Sequence, residues 1–364
     1  MALRLLHSAV LAAILPTMAF TAILAQAQRE PLPLGSVDQI VQLKSCPSGY
    51  FSGMTCFHGE VNNCADDSSL GFTYGYENPD GTSLGTVAFL EGGGGISGYV
   101  DPEYAQTYLD GRYQVVYISW DSDWEMTSAK SATSIKSAAC RPATALNYVY
   151  DHVYSRGAMC AQGFSAGSGA LGYALAWYGS DTYLDDVELL SGPVFGDIEQ
   201  GCEVPNKGTL LICPPDQFGC DGKQWPDSPL YVDGDQTLVR KWSGQQSCNA
   251  GKTTSGYVNS LWKAMSIVDG TNNPNFSYPH TSMAGYLCSN VDQTQNNSAA
   301  QGEFFYQQFT SPNQTAGYSL TRINNCQGAE GVTTGTTPDG ESGFTAITNH
   351  MLSSCVRRHN AKTR

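Results

Sequence analysis

Residues Gly157–Gly179 read GAMCAQGFSAGSGALGYALAWYG. A short apolar run, AMCAQGF, ends in the turn Gly163-Phe164-Ser165-Ala166-Gly167, and small and apolar residues then continue for the length of a helix. The pattern predicts strand, sharp turn, helix. A serine on such a turn sits in a strained backbone conformation, so the residues two before and two after it have to be small. Gly167, Ser168, Gly169 and Ala170 also let the helix pack close to the strand. The helix start adds free N–H groups and the positive end of its dipole. Ser165 is therefore a candidate nucleophile, and the N–H of Ala166 is a candidate donor to a developing oxyanion. A simple turn serine is the competing reading; the flanking strand and helix favour the nucleophile.

Working outward, TVAFLEGGGG is a short apolar run ending in glycines, and YQVVYISW (Tyr113 to Trp120) reads as a buried strand. SIKSAACRPATALNYVYDHVYS carries apolar residues at helical spacing. After Ser165, DVELLSGPVF reads as strand, SMAGYLCS as strand, SAAQGEFFYQQF as helix and GYSLTRIN as strand, with a last helix from about His350 to Arg358. Strands alternating with helices imply a mostly parallel sheet covered on both faces, with ligand sites at the carboxyl ends of its strands. Ser165 and the glycines Gly92 to Gly95 both fall at such ends. Between Gly196 and Tyr278 the rhythm breaks into a stretch rich in Cys, Trp, Gly and Pro, expected to be a disulfide-rich cap inserted over the sheet.

The first 27 residues are expected to be a secretory signal peptide, with Arg4, an apolar run from Leu5 to Leu24 and the small-residue exit Ala25-Gln26-Ala27. The remainder, 28–364, is expected to be one domain, secreted and without a membrane anchor. All 12 cysteines lie after that point. An even number behind a leader implies disulfides, whose pairing cannot be read from sequence. Their spacing is not that of a metal site, and no metal or cofactor is expected. Sequons at Asn275, Asn296 and Asn313 are candidate glycosylation sites. The formal charge of −14, with no basic stripe, excludes nucleic acid as the expected partner.

These motifs resemble those of the α/β-hydrolases, from about Thr86 onward. FLEGGGG (Phe89 to Gly95) is similar to the oxyanion loop that follows the third core strand of that fold, with Glu91 where many esterases have histidine. The phrase is nearer to secreted pectin acetylesterase-like carboxylesterases, a distant similarity. The resemblance implies an α/β-hydrolase fold and a secreted serine hydrolase that cleaves carboxylic esters of small molecules or polysaccharides through an acyl-enzyme. Gly92, Gly93 and Ala166 would supply the oxyanion hole. A serine peptidase of the same fold, or a non-catalytic binding protein on a hydrolase scaffold, are the alternatives.

A serine hydrolase needs a histidine base and a carboxylate to orient it, and in this superfamily the chain order is Ser, acid, His. His58 and His152 precede Ser165, His280 precedes the best acid, and His359 lies in a basic tail. That leaves His350, expected at the start of the last helix. Asp292 is the expected acid, in the polar turn after SMAGYLCS. Asp233 and Asp235, in LYVDGDQTLV, are its rivals, but they fall inside the cap.

Overall fold

The computed structural model describes residues 30–65, 69–96, 102–126, 135–198, 263–268, 274–288, 296–309, 315–326 and 331–359. At their centre is a nine-stranded sheet. Its strands are β1 (Ser36–Gln42), β2 (Thr55–Asn62), β3 (Leu70–Glu77), β4 (Gly85–Leu90), β5 (Tyr113–Trp120), β6 (Ala158–Phe164), β7 (Asp186–Leu190), β8 (Tyr278–Cys288) and β9 (Thr315–Ile323). They lie side by side in the order β1-β2-β3-β5-β4-β6-β7-β8-β9. The pairs from β1 through β3 to β5 are antiparallel, and every pair from β5 to β9 is parallel. The longer helices are α1 (Pro102–Asp110), α2 (Cys140–His152), α3 (Ala166–Tyr178), α4 (Asn296–Tyr306) and α5 (Gly343–Ser354).

Successive strand residues point to opposite faces, and β4 shows the consequence. Ala88 and Leu90 pack with Ala143 and Leu146 of α2 and with Leu171 and Tyr173 of α3. Val87 and Phe89 pack on the other face with Tyr104 and Tyr108 of α1 and with Ile347 and Met351 of α5. Both faces are covered, so GTVAFL and YQVVYISW are buried along their whole length. This is why those strands read as unbroken apolar runs. The expected α/β architecture is the one observed.

Among the described residues four disulfides join Cys46 to Cys56, Cys64 to Cys140, Cys160 to Cys355 and Cys288 to Cys326. Two of them tie helices to the sheet, α2 through Cys140 and the end of α5 through Cys355. Among the described residues, no helix is long and apolar enough to cross a membrane. The expected leader lies outside the described residues, as do 199–262 and 269–273 of the expected cap. The two ends of that stretch meet beside α3. Ile267 N donates to Phe195 O at 2.9 Å and Val268 N to Gly196 O at 3.0 Å. Trp177 and Tyr173 of α3 donate to the carbonyls of Ile267 and Met265.

One boundary differs from expectation. The last helix does not begin near His350 but at Gly343, capped by Ser342, whose hydroxyl accepts from Thr345 N at 3.1 Å. The serine cap, following the Pro338-Asp339-Gly340 turn, is a sufficient local start signal. It places His350 two helical turns down α5.

Candidate active site

β6 ends at Phe164 and α3 begins at Ala166, leaving one residue to turn the chain. Ser165 makes that turn at φ 49° and ψ −113°. This is a left-handed region that side chains other than glycine seldom enter. The turn is held from several directions. Ser165 N donates to Leu190 O of β7 at 2.9 Å, Gly169 N donates back to Ser165 O at 3.0 Å, and Ser168 Oγ donates to the same carbonyl at 2.5 Å. Ala166 opens the helix, so its N–H is among those with no acceptor inside the helix.

The glycine loop stands against this turn. A β-carbon at Gly92 would lie 3.1 Å from Ser165 Cβ. Gly93, Gly94 and Gly95 all have positive φ, at 60°, 75° and 72°. The far side of the loop is gripped by the segment after β5. Trp124 N donates to Gly94 O at 3.1 Å, the Asp123 carboxylate lies against Gly94, and Trp120 lies against Gly95. Arg141 of α2 is buried and donates to the carbonyls of Trp124 and Met126, at 2.9 and 2.5 Å. Glu125, in the same segment, is pushed up to about 8 by burial. Glu91 accepts from the Tyr117 hydroxyl at 2.8 Å. The structure thus brings Ser165, Ala166, Gly92 and Gly93 together at the carboxyl end of the sheet.

Among the described residues no hydrogen bond joins His350 to Ser165. His350 Nδ1 lies 3.0 Å from Glu188 Oε1. Glu188 pairs in register with Gln162, three residues before Ser165. At about 3.3 Å per residue this sets the pair about 10 Å below the nucleophile along the strands. Tyr286 fills the face between, with its hydroxyl on Ala346 O at 3.3 Å in the turn of α5 above His350. His350, the expected base, thus has its Nδ1 engaged by Glu188, and because the helix starts earlier than expected it stands two turns down α5. The other histidines are engaged as well. His58 pairs with Asp121 at 2.9 Å, His152 packs on Tyr148, and His359 pairs with Asp185 at 3.0 Å and packs on His280. Among the described residues none of these five histidines is hydrogen-bonded to Ser165. The expected acid, Asp292, and its rivals Asp233 and Asp235 lie outside the described residues.

Around His350 the sequence reading missed two acids. Asp186 and Glu188 have no exposed surface. Burial pushes Glu188 up to about 7, and it raises Asp186 as well. Burial works to lower His350, but its bond to Glu188 more than offsets this, so its pKa stands above the ordinary histidine value. The signal was present in DVELL: two acids two apart, in a strand otherwise apolar, share one buried face. Of the sequons, Asn275 accepts from Ser277 N at 2.9 Å, Asn296 opens α4, and Asn313 lies outside the described residues.

No protein-family model matches the chain, and no match is found among curated protein sequences. Solved structures do match. An acetyl xylan esterase from Paenibacillus sp. R4 superimposes with a TM-score of 0.53 at 13% identity, covering 89% of this chain and 90% of that one. Brefeldin A esterase, a bacterial homologue of human hormone sensitive lipase, gives 0.45 at 12% identity over 86% and 76% of the two chains. At such identities the likeness is one of fold. With its strand order and its serine turn, the chain has the fold of the α/β-hydrolases.

Proposed function

We propose that the protein is a secreted serine hydrolase acting on carboxylic esters, with Ser165 as nucleophile. The observation that carries this reading is the left-handed Ser165 on a strand-to-helix turn, with Gly92 packed against its β-carbon. A strained serine needs a reason, and presenting Oγ beyond the strand ends supplies one. Ser165 Oγ attacks the ester carbonyl as its proton passes to a general base. The N–H groups of Ala166 and of the Gly92-Gly93 segment receive the oxyanion, where fixed donors stabilise charge without reorganising. The alcohol leaves carrying that proton, and water, giving a proton to the same base, attacks the acyl-enzyme and releases the acid as Ser165 regains its proton. Four disulfides among the described residues suit an oxidising compartment, in keeping with the expected leader.

The alternative carried over from the sequence is a non-catalytic binding protein on a hydrolase scaffold. One experiment separates the two. The protein is treated with a fluorophosphonate probe and assayed on acetyl, feruloyl and p-nitrophenyl esters, acetylated polysaccharide included. Probe on Ser165 by mass spectrometry, with labelling and turnover both absent in Ser165→Ala, is the result expected of the hydrolase. A folded protein that neither labels nor turns over any ester belongs to the second reading. In the same assay His350→Gln tests the expected base: loss of labelling and turnover assigns it that role, and full retention of both removes it.

A further inference from the structure

Below Leu190, on the sheet face covered by α5, four side chains converge. Asp186 and Glu188 come from β7, and His350 and Ser354 from adjacent turns of α5. His350 Nδ1 lies 3.0 Å from Glu188 Oε1 and 3.9 Å from Asp186 Oδ2. Ser354 Oγ lies 2.9 Å from Asp186 Oδ2 and 3.2 Å from His350 Nδ1. We infer that this cluster is a site for a divalent cation of the zinc type, with Asp186 Oδ2, Glu188 Oε1 and His350 Nδ1 as ligands and the Ser354 hydroxyl at the fourth corner.

Size, chemistry and support agree. A tetrahedral ion about 2.0–2.1 Å from each donor separates its donors by about 3.3 Å. The four separations given above, from 2.9 to 3.9 Å, lie on either side of that value. One imidazole and two carboxylates suit zinc, a borderline ion that accepts both nitrogen and oxygen. Each carboxylate turns one oxygen inward and has the other held from outside. Gln162 Nε2 donates to Glu188 Oε2 at 2.6 Å and also to the Tyr108 hydroxyl at 3.0 Å, and the Ser282 hydroxyl donates to Asp186 Oδ1. Partners of this kind orient ligands and raise their affinity.

The two carboxylates are fully buried on one face, a costly placement that a dication offsets directly. The Cys160–Cys355 disulfide fixes the end of α5 to β6, one strand away, so the ligands on helix and strand are held in place. His350 keeps 25% of its side chain exposed and marks the entry path. No sequence spacing announces the site, because β7 and α5 are far apart in the chain. Ser165 takes no part in it.

The test uses the whole secreted chain, stripped with EDTA, desalted and titrated with zinc chloride by calorimetry. One equivalent is expected, with a higher unfolding temperature in zinc than in EDTA. Glu188→Gln and Asp186→Asn keep the shape of the cluster and lose the equivalent, whereas His359→Ala keeps it. X-ray absorption at the zinc edge of the unmutated protein expects nitrogen and oxygen neighbours with a single imidazole, and this reading does not depend on any variant folding. No zinc uptake, an equivalent retained in both isosteric variants, or two imidazoles on the ion overturns the inference. The cluster would then be a hydrogen-bonded network closed by protons.

Discussion

Replacing Gly167 by alanine tests the turn from which the functional reading is built. A β-carbon there would lie 1.9 Å from Leu90 O, 2.4 Å from Leu90 C and 2.9 Å from Glu91 O. All three atoms are backbone. They belong to the end of β4, which is paired on both sides by β5 and β6 and cannot rotate away. Helix α3 and β4 therefore have to separate by about 1 Å, in an interior packed as densely as an organic crystal. Overpacking of this kind costs about 3 kcal/mol. The helix-propensity gain of alanine over glycine returns about 1 kcal/mol. The net expectation is a loss of about 2 kcal/mol, together with a sharp fall in labelling of Ser165, because Glu91 and Gly92 ride on the displaced strand end. Gly169→Ala is the matched control in the same helix. Its β-carbon would meet Val194 Cγ2 at 2.8 Å and Phe195 Cδ2 at 2.9 Å, side-chain atoms that can turn aside. Equilibrium urea unfolding measures both variants. If Gly167→Ala stays within about 0.5 kcal/mol of the parent, or Gly169→Ala costs as much, the close approach of helix and strand is not what the glycine is for.

Ser165→Gly should be more stable than Ser165→Ala by about 1 kcal/mol, since only the alanine keeps a β-carbon in the left-handed region; equal unfolding midpoints would remove the claim of strain. Glu125, raised from 4.5 to about 8 by burial, is neutral in the folded protein over a range where the unfolded chain ionises it. Its contribution is fully present below about pH 4.5 and is lost as pH rises through about 8, at a slope of up to about 1.4 kcal/mol per pH unit. Glu125→Gln should flatten the stability profile in that window, and an unchanged profile counts against the shift. Removing the Cys160–Cys355 bridge, which spans 195 residues, with a double alanine substitution should cost about 4–5 kcal/mol. Denaturation of the double variant measured beside the parent checks this, and a loss under about 1 kcal/mol would mean that α5 is held by packing alone.

Local pattern determined much of this protein. The Gly163-Phe164-Ser165-Ala166-Gly167 turn, the apolar strands on either side of it and the glycines after β4 were legible because each rests on contacts between near neighbours. A strained turn needs small residues close by, and a strand covered on both faces has to be apolar throughout. The alternation of strands and helices was enough for the parallel sheet. Disulfide pairing was not legible, because Cys160 meets Cys355 only once β6 and the end of α5 are packed together. The place of His350 was not legible either. A histidine after the last strand can stand at the strand ends or two turns below them, and Ser342, by starting the helix seven residues earlier than expected, chose the second. Only tertiary packing set that histidine against Asp186 and Glu188, since the register of α5 on the sheet is decided by the apolar side chains of the whole face, with Ile347 and Met351 buried against it, and not by any spacing along the chain.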